Sequence, residues 1–521
     1  MGLIRWAGRI FGSGTPYGQE HWFESVSERL ASMPDSNGCR YYEKLPYKIG
    51  LVCDEFFYES IRSAAEFVYL APGAWRDVLD EGIDALLFVS AWHGLRNDEW
   101  KGLAALPGKE NERKREAFAI LDRCREKDVP VIFYSKEDPP NFEYFAEYAK
   151  KSDIVFTSAE ECIPEYRSRC GHDRIQSLCF GIDPLLHNPI GIRSCEKIGD
   201  VLFSGSWMRK YPERCRDLAM IFDGIIASGR GLHIIDRNYP GRKEKIFRFP
   251  KEYARYCSPS VPHGLLQKVH KLADWAVNIN SVMNSATMFA NRVFELQACG
   301  VLLLSNESAG VRRLFPHVTI VRSAEDAASA LSAWDACETY ERQIYGIRSV
   351  MTGHTCYDRM NSLLKALFTG AVQPARNILV LADSLTENVR QNFDRQTYPD
   401  KTLAAACDVT PEMLACHDMT AWFSSDAAYG EHYLEDMSNA FKYTSSRYAT
   451  KDSYMKNGVP VEGKEHCYTD RMPSKYRTVF WNSAFEPAFI LSVPESAGIA
   501  GGYSTDRFNY DSMPCQTISK A

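Results

Sequence analysis

No run in this sequence approaches the about 20 consecutive apolar residues that cross a bilayer as a helix. The opening stretch MGLIRWAGRIFGSG is interrupted by Arg5 and Arg9, which suits a packing helix, or one lying on a membrane surface, better than a span. Trp6 stands where an N-myristoylation pattern needs Ser or Thr, so that anchor is not encoded. None of the sixteen cysteines forms a Cys-x-x-Cys pair, which removes the usual zinc and thioredoxin-like patterns. Neither sign of charge prevails: 61 Lys and Arg face 67 Asp and Glu, a net charge of −6, so no overall basic field offers itself to nucleic acid. Repeats of solenoid period and low-complexity segments are also missing. Dispersed thiols without a signal peptide lead us to expect a cytoplasmic protein whose cysteines are reduced and mostly buried.

What is present is a long alternation of strand-like and helix-like segments. At 521 residues the chain exceeds one ordinary core, and about three domains are expected. YKIGLVC (47–53), IDALLFVS (83–90), VPVIFY (129–134) and SDIVFTS (152–158) are short apolar runs ending in polar residues, as buried parallel strands do. The segment NERKREAFAILDRCREK (111–127) lies between two of them and has the period of a helix, with Phe118, Ile120, Leu121 and Cys124 apolar. A Pro- and Gly-bearing stretch, CFGIDPLLHNPIG (179–191), interrupts the pattern. It restarts with DVLFSGS (200–206), LHIID (232–236), DWAVNIN (274–280), GVLLLS (300–305) and VTIVRS (318–323), followed by helices near 336–350 and 354–368. AVQP (371–374) marks a further boundary. The expected architecture is α/β: a leader segment over 1–46, two facing Rossmann-like domains over 47–185 and 186–370, and a smaller α/β unit over 371–521.

Ligands of open α/β sheets sit beyond the carboxyl ends of the strands. Three loops at that edge of the first half are rich in polar groups: CDEF (53–56), AWHGLRNDEW (91–100) and SKEDPPNF (135–142). They bring Asp54, Glu55, His93, Asp98, Glu99, Glu137 and Asp138 toward one crevice, where His93, Asp54, Glu137 or Asp138 could take a proton from an acceptor hydroxyl. The alternative for each is loop solvation or helix capping, and Asp138 before Pro139 suits a turn. In the second half a strand runs into Ser204-Gly205-Ser206, and Arg209, Lys210 and Arg214 follow near a helix start. Cations there oppose the helix dipole, and a bound anion would offset that. The Gly-Lys-Ser/Thr ending of a P-loop is missing, and a tight turn with surface charges is the competing reading. Asn280 and Ser281 close the next strand, and Arg292 and Glu295, three apart, share a helix face. A carboxylate such as Glu295 can accept two hydrogen bonds from the hydroxyls of a ribose.

These residues carry a resemblance. RVFE-x-x-ACG-x-x-L, met by Arg292, Val293, Phe294, Glu295, Ala298, Cys299 and Gly300, resembles the donor-nucleotide signature of GT-B glycosyltransferases of the group-1, spore-maturation-like type. The resemblance runs over about residues 47–368. It implies an acceptor domain over 47–185 and a donor domain with a return helix over 186–370, joined by FGIDPLLHNP. It implies ribose binding by Glu295, with Ser204 to Ser206 and Lys210 toward a diphosphate. One departure is Thr287, where many retaining members carry a second Glu eight residues before the first. The C-terminal unit resembles a degenerate GT-A domain, whose Asp-x-Asp metal cluster is reduced to Ser424-Ser425-Asp426-Ala427-Ala428. That unit would serve packing, acceptor docking or homodimerisation. Its aromatics Trp422, Phe423, Tyr429, Tyr433, Tyr443, Tyr448 and Tyr454 would be core or sugar-stacking platforms. The function implied is transfer of a sugar from a nucleotide diphosphate sugar to an acceptor hydroxyl of a glycan or cell-surface polymer, with no metal and no further cofactor. Transfer to a modified DNA base or a protein is the second reading, and a non-catalytic nucleotide-sugar or glycan-binding protein the third.

Overall fold

The computed structural model describes residues 18–96, 98–239, 245–370 and 373–512. The expectations for the stretch 1–14 lie outside the described residues, as do the first two positions of AVQP. Six parallel strands form the first sheet: β1 (Leu45–Val52), β2 (Ala65–Tyr69), β3 (Ala85–Val89), β4 (Val131–Ser135), β5 (Ile154–Thr157) and β6 (Ile175–Ser177), in the order β2-β1-β3-β4-β5-β6. Its central strands are apolar throughout because both faces are covered. Ala85, Leu87 and Val89 point into one core while Leu86 and Phe88 point into the other. The helix Glu112–Glu126 is capped by Asn111, whose side chain accepts from Lys114 N at 2.9 Å, and it buries Ala117, Ile120, Leu121 and Cys124 at helical spacing.

The second sheet is also parallel and six-stranded: β7 (Val201–Gly205), β8 (Leu232–Asp236), β9 (Cys257–Ser258), β10 (Trp275–Asn278), β11 (Leu302–Ser305) and β12 (Thr319–Ile320). The order is β12-β11-β10-β7-β8-β9. Two helices follow, Ala336–Met351 and Cys356–Lys365. The second crosses back, and its Cys356, Tyr357, Met360, Leu363 and Leu364 belong to a core of the first sheet. A capping box of Thr355 and Asp358 starts it.

The third unit holds β13 (Ile378–Ala382), β14 (Lys401–Ala405), β15 (Met419–Phe423), β16 (Ala427–Tyr429), β17 (Tyr448–Thr450), β18 (Tyr454–Lys456), β19 (Val459–Val461), β20 (Cys467–Met472), β21 (Thr478–Trp481), β22 (Ala497–Ser504) and β23 (Tyr510–Ser512). They form a mixed sheet, β14-β13-β15-β21-β17-β22-β20, and a small one, β16-β23-β18-β19. Trp422, Phe423, Tyr429, Tyr433, Tyr443 and Tyr448 are all buried, which corrects the sugar-stacking alternative for these six. The unit is fused to the second one rather than hung from it. One apolar cluster joins Val293, Ile344 and Ile347 to Val380, Met437 and Tyr503, and Arg348 forks onto Asp436 at 2.6 and 2.8 Å.

The expected leader is, over residues 18–46, a strap across all three units. Gly18 and Gln19 donate to Ala254 and Cys257 at the edge of the second sheet, and the helix Trp22–Ser32 adds Val26 and Leu30 to its core. Arg40 then grips the carbonyls of Ser445 and Ser446 in the third unit before β1 enters the first sheet.

Candidate active site

In the first sheet β2 lies on one side of β1 and β3 on the other, which makes the carboxyl ends of β1 and β3 a topological switch point. Asp54 follows β1 and caps the helix Glu55–Ile61 by accepting from Phe57 N at 3.0 Å. Beside it stands a residue that the charge reading passed over. Lys136, just beyond β4, is 8% exposed and its Nζ lies 2.9 Å from both Asp54 Oδ2 and Glu137 Oε1. Burial works against its charge, but the two carboxylates outweigh that and push its pKa up. Trp92 Nε1 and Asn141 Nδ2 donate to the other Glu137 oxygen at 3.0 and 3.1 Å. The signal for Lys136 was in SKEDPPNF, but a lysine there has meaning only once the strand order is known.

His93 Nδ1 is 2.6 Å from Asp98 Oδ1, with both side chains open to solvent. The His93 hydrogen bond, helped by Lys101, holds Asp98 below the usual carboxylate range. Glu99 is occupied by Tyr69 OH, at 2.5 Å, and by Arg96 N. Glu55 is the first residue of its helix. The expectation for Asp138 needs correction. It is fully buried, with Thr157 Oγ1 donating to it at 2.6 Å and Tyr166 OH at 3.0 Å, so it braces the loop from inside instead of presenting a carboxylate to a substrate. Burial raises its pKa to about 6.

The second sheet has its own switch point, between β7 and β10, and the other half of the candidates flank it. Ser204 Oγ lies 3.1 Å from His270 Nε2, and Gly205 ends β7. Ser206 Oγ accepts from Asn238 Nδ2 at 2.8 Å. The helix begins at Pro212, later than the basic residues suggested, so Arg209 and Lys210 precede it and are exposed. Arg214 is the cation turned onto the loop, its Nη1 donating to Ser206 O at 3.0 Å. Burial lowers the Arg214 pKa to about 10, and Arg292 depresses it further. Arg292 is lowered chiefly by burial and then by Arg237, which the sequence reading missed. Arg237 directly follows β8 and is exposed. Three guanidinium groups thus share this edge, and among the described residues their one carboxylate neighbour within 4.0 Å is Glu295, 3.9 Å from Arg292 Nε.

Glu295 is 5% exposed, and Asn291 Nδ2 donates to its Oε1 at 2.9 Å. Asn291 Oδ1 is buried without a hydrogen-bond partner, as is Asn278 Oδ1 at the end of β10. Asn280 is also buried, bonded to Asn306 and to Ala290 N, while Ser281 is exposed. Unpaired buried acceptors are uncommon, and here they adjoin the carboxylate expected to meet a ribose. Between the two units runs an open crevice of about 790 Å³ whose walls include Pro139, Glu161 and Ser285. Thr287 spans it: its hydroxyl donates to Ser158 O and accepts from Glu160 N, both at 2.9 Å. Ser285 Oγ donates to Glu161 at 3.0 Å and Arg313 pairs with Glu160 at 2.8 Å.

In the third unit Ser424, Ser425 and Asp426 follow β15, and Ser425 Oγ donates to the exposed Asp426 at 3.4 Å. Among the described residues no group of three or more His, Cys, Asp or Glu is arranged to hold a metal ion, and no helix is long and apolar enough to cross a membrane.

Residues 232–365 match the family model described as "Glycosyl transferase-like". No curated protein matches the chain. Among solved structures, HepE of Anabaena in complex with UDP-glucose is similar at 11% identity and a TM-score of 0.39, over 62% of this chain and 99% of that one. A glycosyltransferase from Rickettsia africae is similar at 13% identity and 0.39, over 63% and 99%. T4 phage BGT in complex with UDP and Mn2+ is similar at 14% and 0.37, over 61% and 99%. The matched segment begins at β8, so the Ser204–Ser206 loop stands on its geometry alone. Residues 232–365 are glycosyltransferase-like, and they make up most of the second of two Rossmann-like units, the GT-B plan.

Proposed function

We propose that this protein moves a sugar from a nucleotide diphosphate sugar to an acceptor hydroxyl of a glycan, without a metal. The observation that carries the reading is the group of Arg214, Arg237 and Arg292 at the second switch point, with Glu295 as its one carboxylate neighbour. A diphosphate brings the charges this group lacks, and the amino end of the helix Pro212–Ala227 adds its dipole. As the donor bond breaks, charge grows on the leaving diphosphate, and these fixed cations stabilise it there. Glu295 takes ribose hydroxyls as donors, and Asn291 Oδ1 takes another. Across the crevice His93, oriented through Nδ1 by Asp98, is left with Nε2 to accept the proton of the acceptor hydroxyl. Lys136 keeps Asp54 and Glu137 ionised and in place as acceptors for sugar hydroxyls.

Release of free nucleoside diphosphate from a panel of donor sugars, measured in EDTA, tests the proposal. Turnover that persists in the chelator is expected. Activity lost in EDTA and restored by manganese would place the chemistry at a metal site instead. Donor binding without any release would make the protein a nucleotide-sugar binder.

A further inference from the structure

A groove of about 970 Å³, open to solvent, lies on the second unit away from the crevice. It is floored by Val301 to Leu303, where β11 starts, whereas the crevice faces the ends where such strands finish. The four residues of β11 separate the two edges by about 13 Å at roughly 3.3 Å per residue. The helix Ala336–Met351 forms the opposite wall and presents Glu338, Glu341, Arg342 and Tyr345.

The chemistry of this lining is selective. Tyr345 is 46% exposed, which is unusual for so large a side chain in this fold. Trp334 lies flat on Trp275, with centroids 5.5 Å apart, and the Arg342 guanidinium sits 3.9 Å above its ring. His317 Nε2 is 2.6 Å from Gln297 Oε1, while Gln297 Nε2 donates to Val293 O at 2.9 Å. The amide is thereby fixed with its oxygen toward the imidazole, so Nε2 carries the proton and Nδ1 is an acceptor. Burial, reinforced by Arg342, lowers the His317 pKa to about 4 and keeps the ring neutral. Among the described residues neither Glu341 nor Arg342 forms an ion pair within 4.0 Å, though Arg342 is held over Trp334. The groove therefore offers more acceptors than donors: two carboxylates and a neutral imidazole against one guanidinium.

Phosphates and nucleotides are repelled by that pair of carboxylates, and a lipid chain leaves the acceptors unpaired. A ligand with many hydroxyl donors and apolar C–H faces satisfies both the carboxylates and the exposed ring. We propose that this groove binds a neutral oligosaccharide, as a second site that retains the acceptor polymer at a distance from the reaction centre. The binding is a property of the groove itself; the identification of its ligand as the acceptor rests on the glycosyltransferase reading.

The test uses the full chain and three hexasaccharides (maltohexaose, cellohexaose and chitohexaose), read by tryptophan fluorescence and calorimetric titration. At least one is expected to bind, with Tyr345→Ala weakening it 10-fold or more and Tyr345→Phe keeping most of it. Binding of nucleoside diphosphates and the melting temperature should stay unchanged in both variants. No binding by any hexasaccharide, or equal binding by Tyr345→Ala, overturns the proposal. A hexasaccharide bound at Tyr345 by a protein that binds no nucleoside diphosphate would keep the groove and sink the enzyme reading. In a transfer assay, Tyr345→Ala should raise KM for long acceptors and leave kcat and the KM of a monosaccharide acceptor alone. An equal loss with both acceptor lengths would contradict the second site.

Discussion

Glu295 sits where two explanations of a buried carboxylate meet, packing and ligand capture. Its Oε1 is held by Asn291, but its other oxygen has only Arg292, at 3.9 Å, too far for a hydrogen bond. Glu295→Gln should cut affinity for a nucleoside diphosphate by roughly 10- to 100-fold, since hydrogen bonds to a charged group contribute about 1.5–3 kcal/mol. Calorimetric titration reads that loss, and thermal unfolding of the same variant supplies the control. An unchanged dissociation constant beside a markedly lower melting point would show a packed side chain. Glu295 was legible in the sequence because RVFELQACG ties a charge to a helix entering a core. Lys136 and Arg237 were not, because a loop cation gains meaning from neighbours that only the strand order assigns.

Among elements, the legible strands were those buried on both faces, such as ALLFV and VIFYS. Three strands escaped the sequence reading. β2 has only its first residue buried, β6 has one apolar residue, and β9 is two residues long, so none offers the run or the alternation that marks a strand. The loop before the helix Arg292–Ala298 shows the same limit from the functional side. A missing Glu at position 287 was visible, but the use of Thr287 as a tie between units was not, because its partners lie 127 and 129 residues away. Replacing Thr287 with Glu sets a carboxylate against Glu160 and Glu161 and removes both hydrogen bonds. The two units should separate, with a larger radius of gyration by X-ray scattering and a loss of about 1–3 kcal/mol of stability. A Thr287→Glu protein that keeps its radius and its melting temperature would show that the tie is incidental.

At the scale of the whole molecule, buried histidines set an acid limit. His233, stacked under Trp22 with centroids 3.9 Å apart, and His466, in the third unit, are nearly unexposed, and burial lowers both pKa values to about 3. The unfolded chain titrates them near 6.5, so between there and about pH 3 it binds more protons than the folded one. Their neutral forms cost nothing at pH 7, and stability falls as pH drops below about 6.5. By pH 5 each contributes a loss of about 2 kcal/mol. The melting temperature should accordingly decline from pH 7 to pH 5, and His233→Gln should lessen the decline; a flat profile would contradict this. The expectation of a third α/β unit came from its strand signals, while its fusion with the second unit was hidden in contacts such as Arg348 to Asp436, 88 residues apart.

The strap over residues 18–46 has a consequence for how the chain is made. Arg40 waits for carbonyls 405 and 406 residues downstream. At about 5–20 residues per second, a ribosome delivers those partners roughly 20 to 80 seconds after Arg40 itself. The first sheet waits as well, since the helix Cys356–Lys365 completes one of its cores. Nascent chains stalled anywhere before that helix therefore expose the apolar residues of the first sheet, and they are the species on which a chaperone or a protease would act.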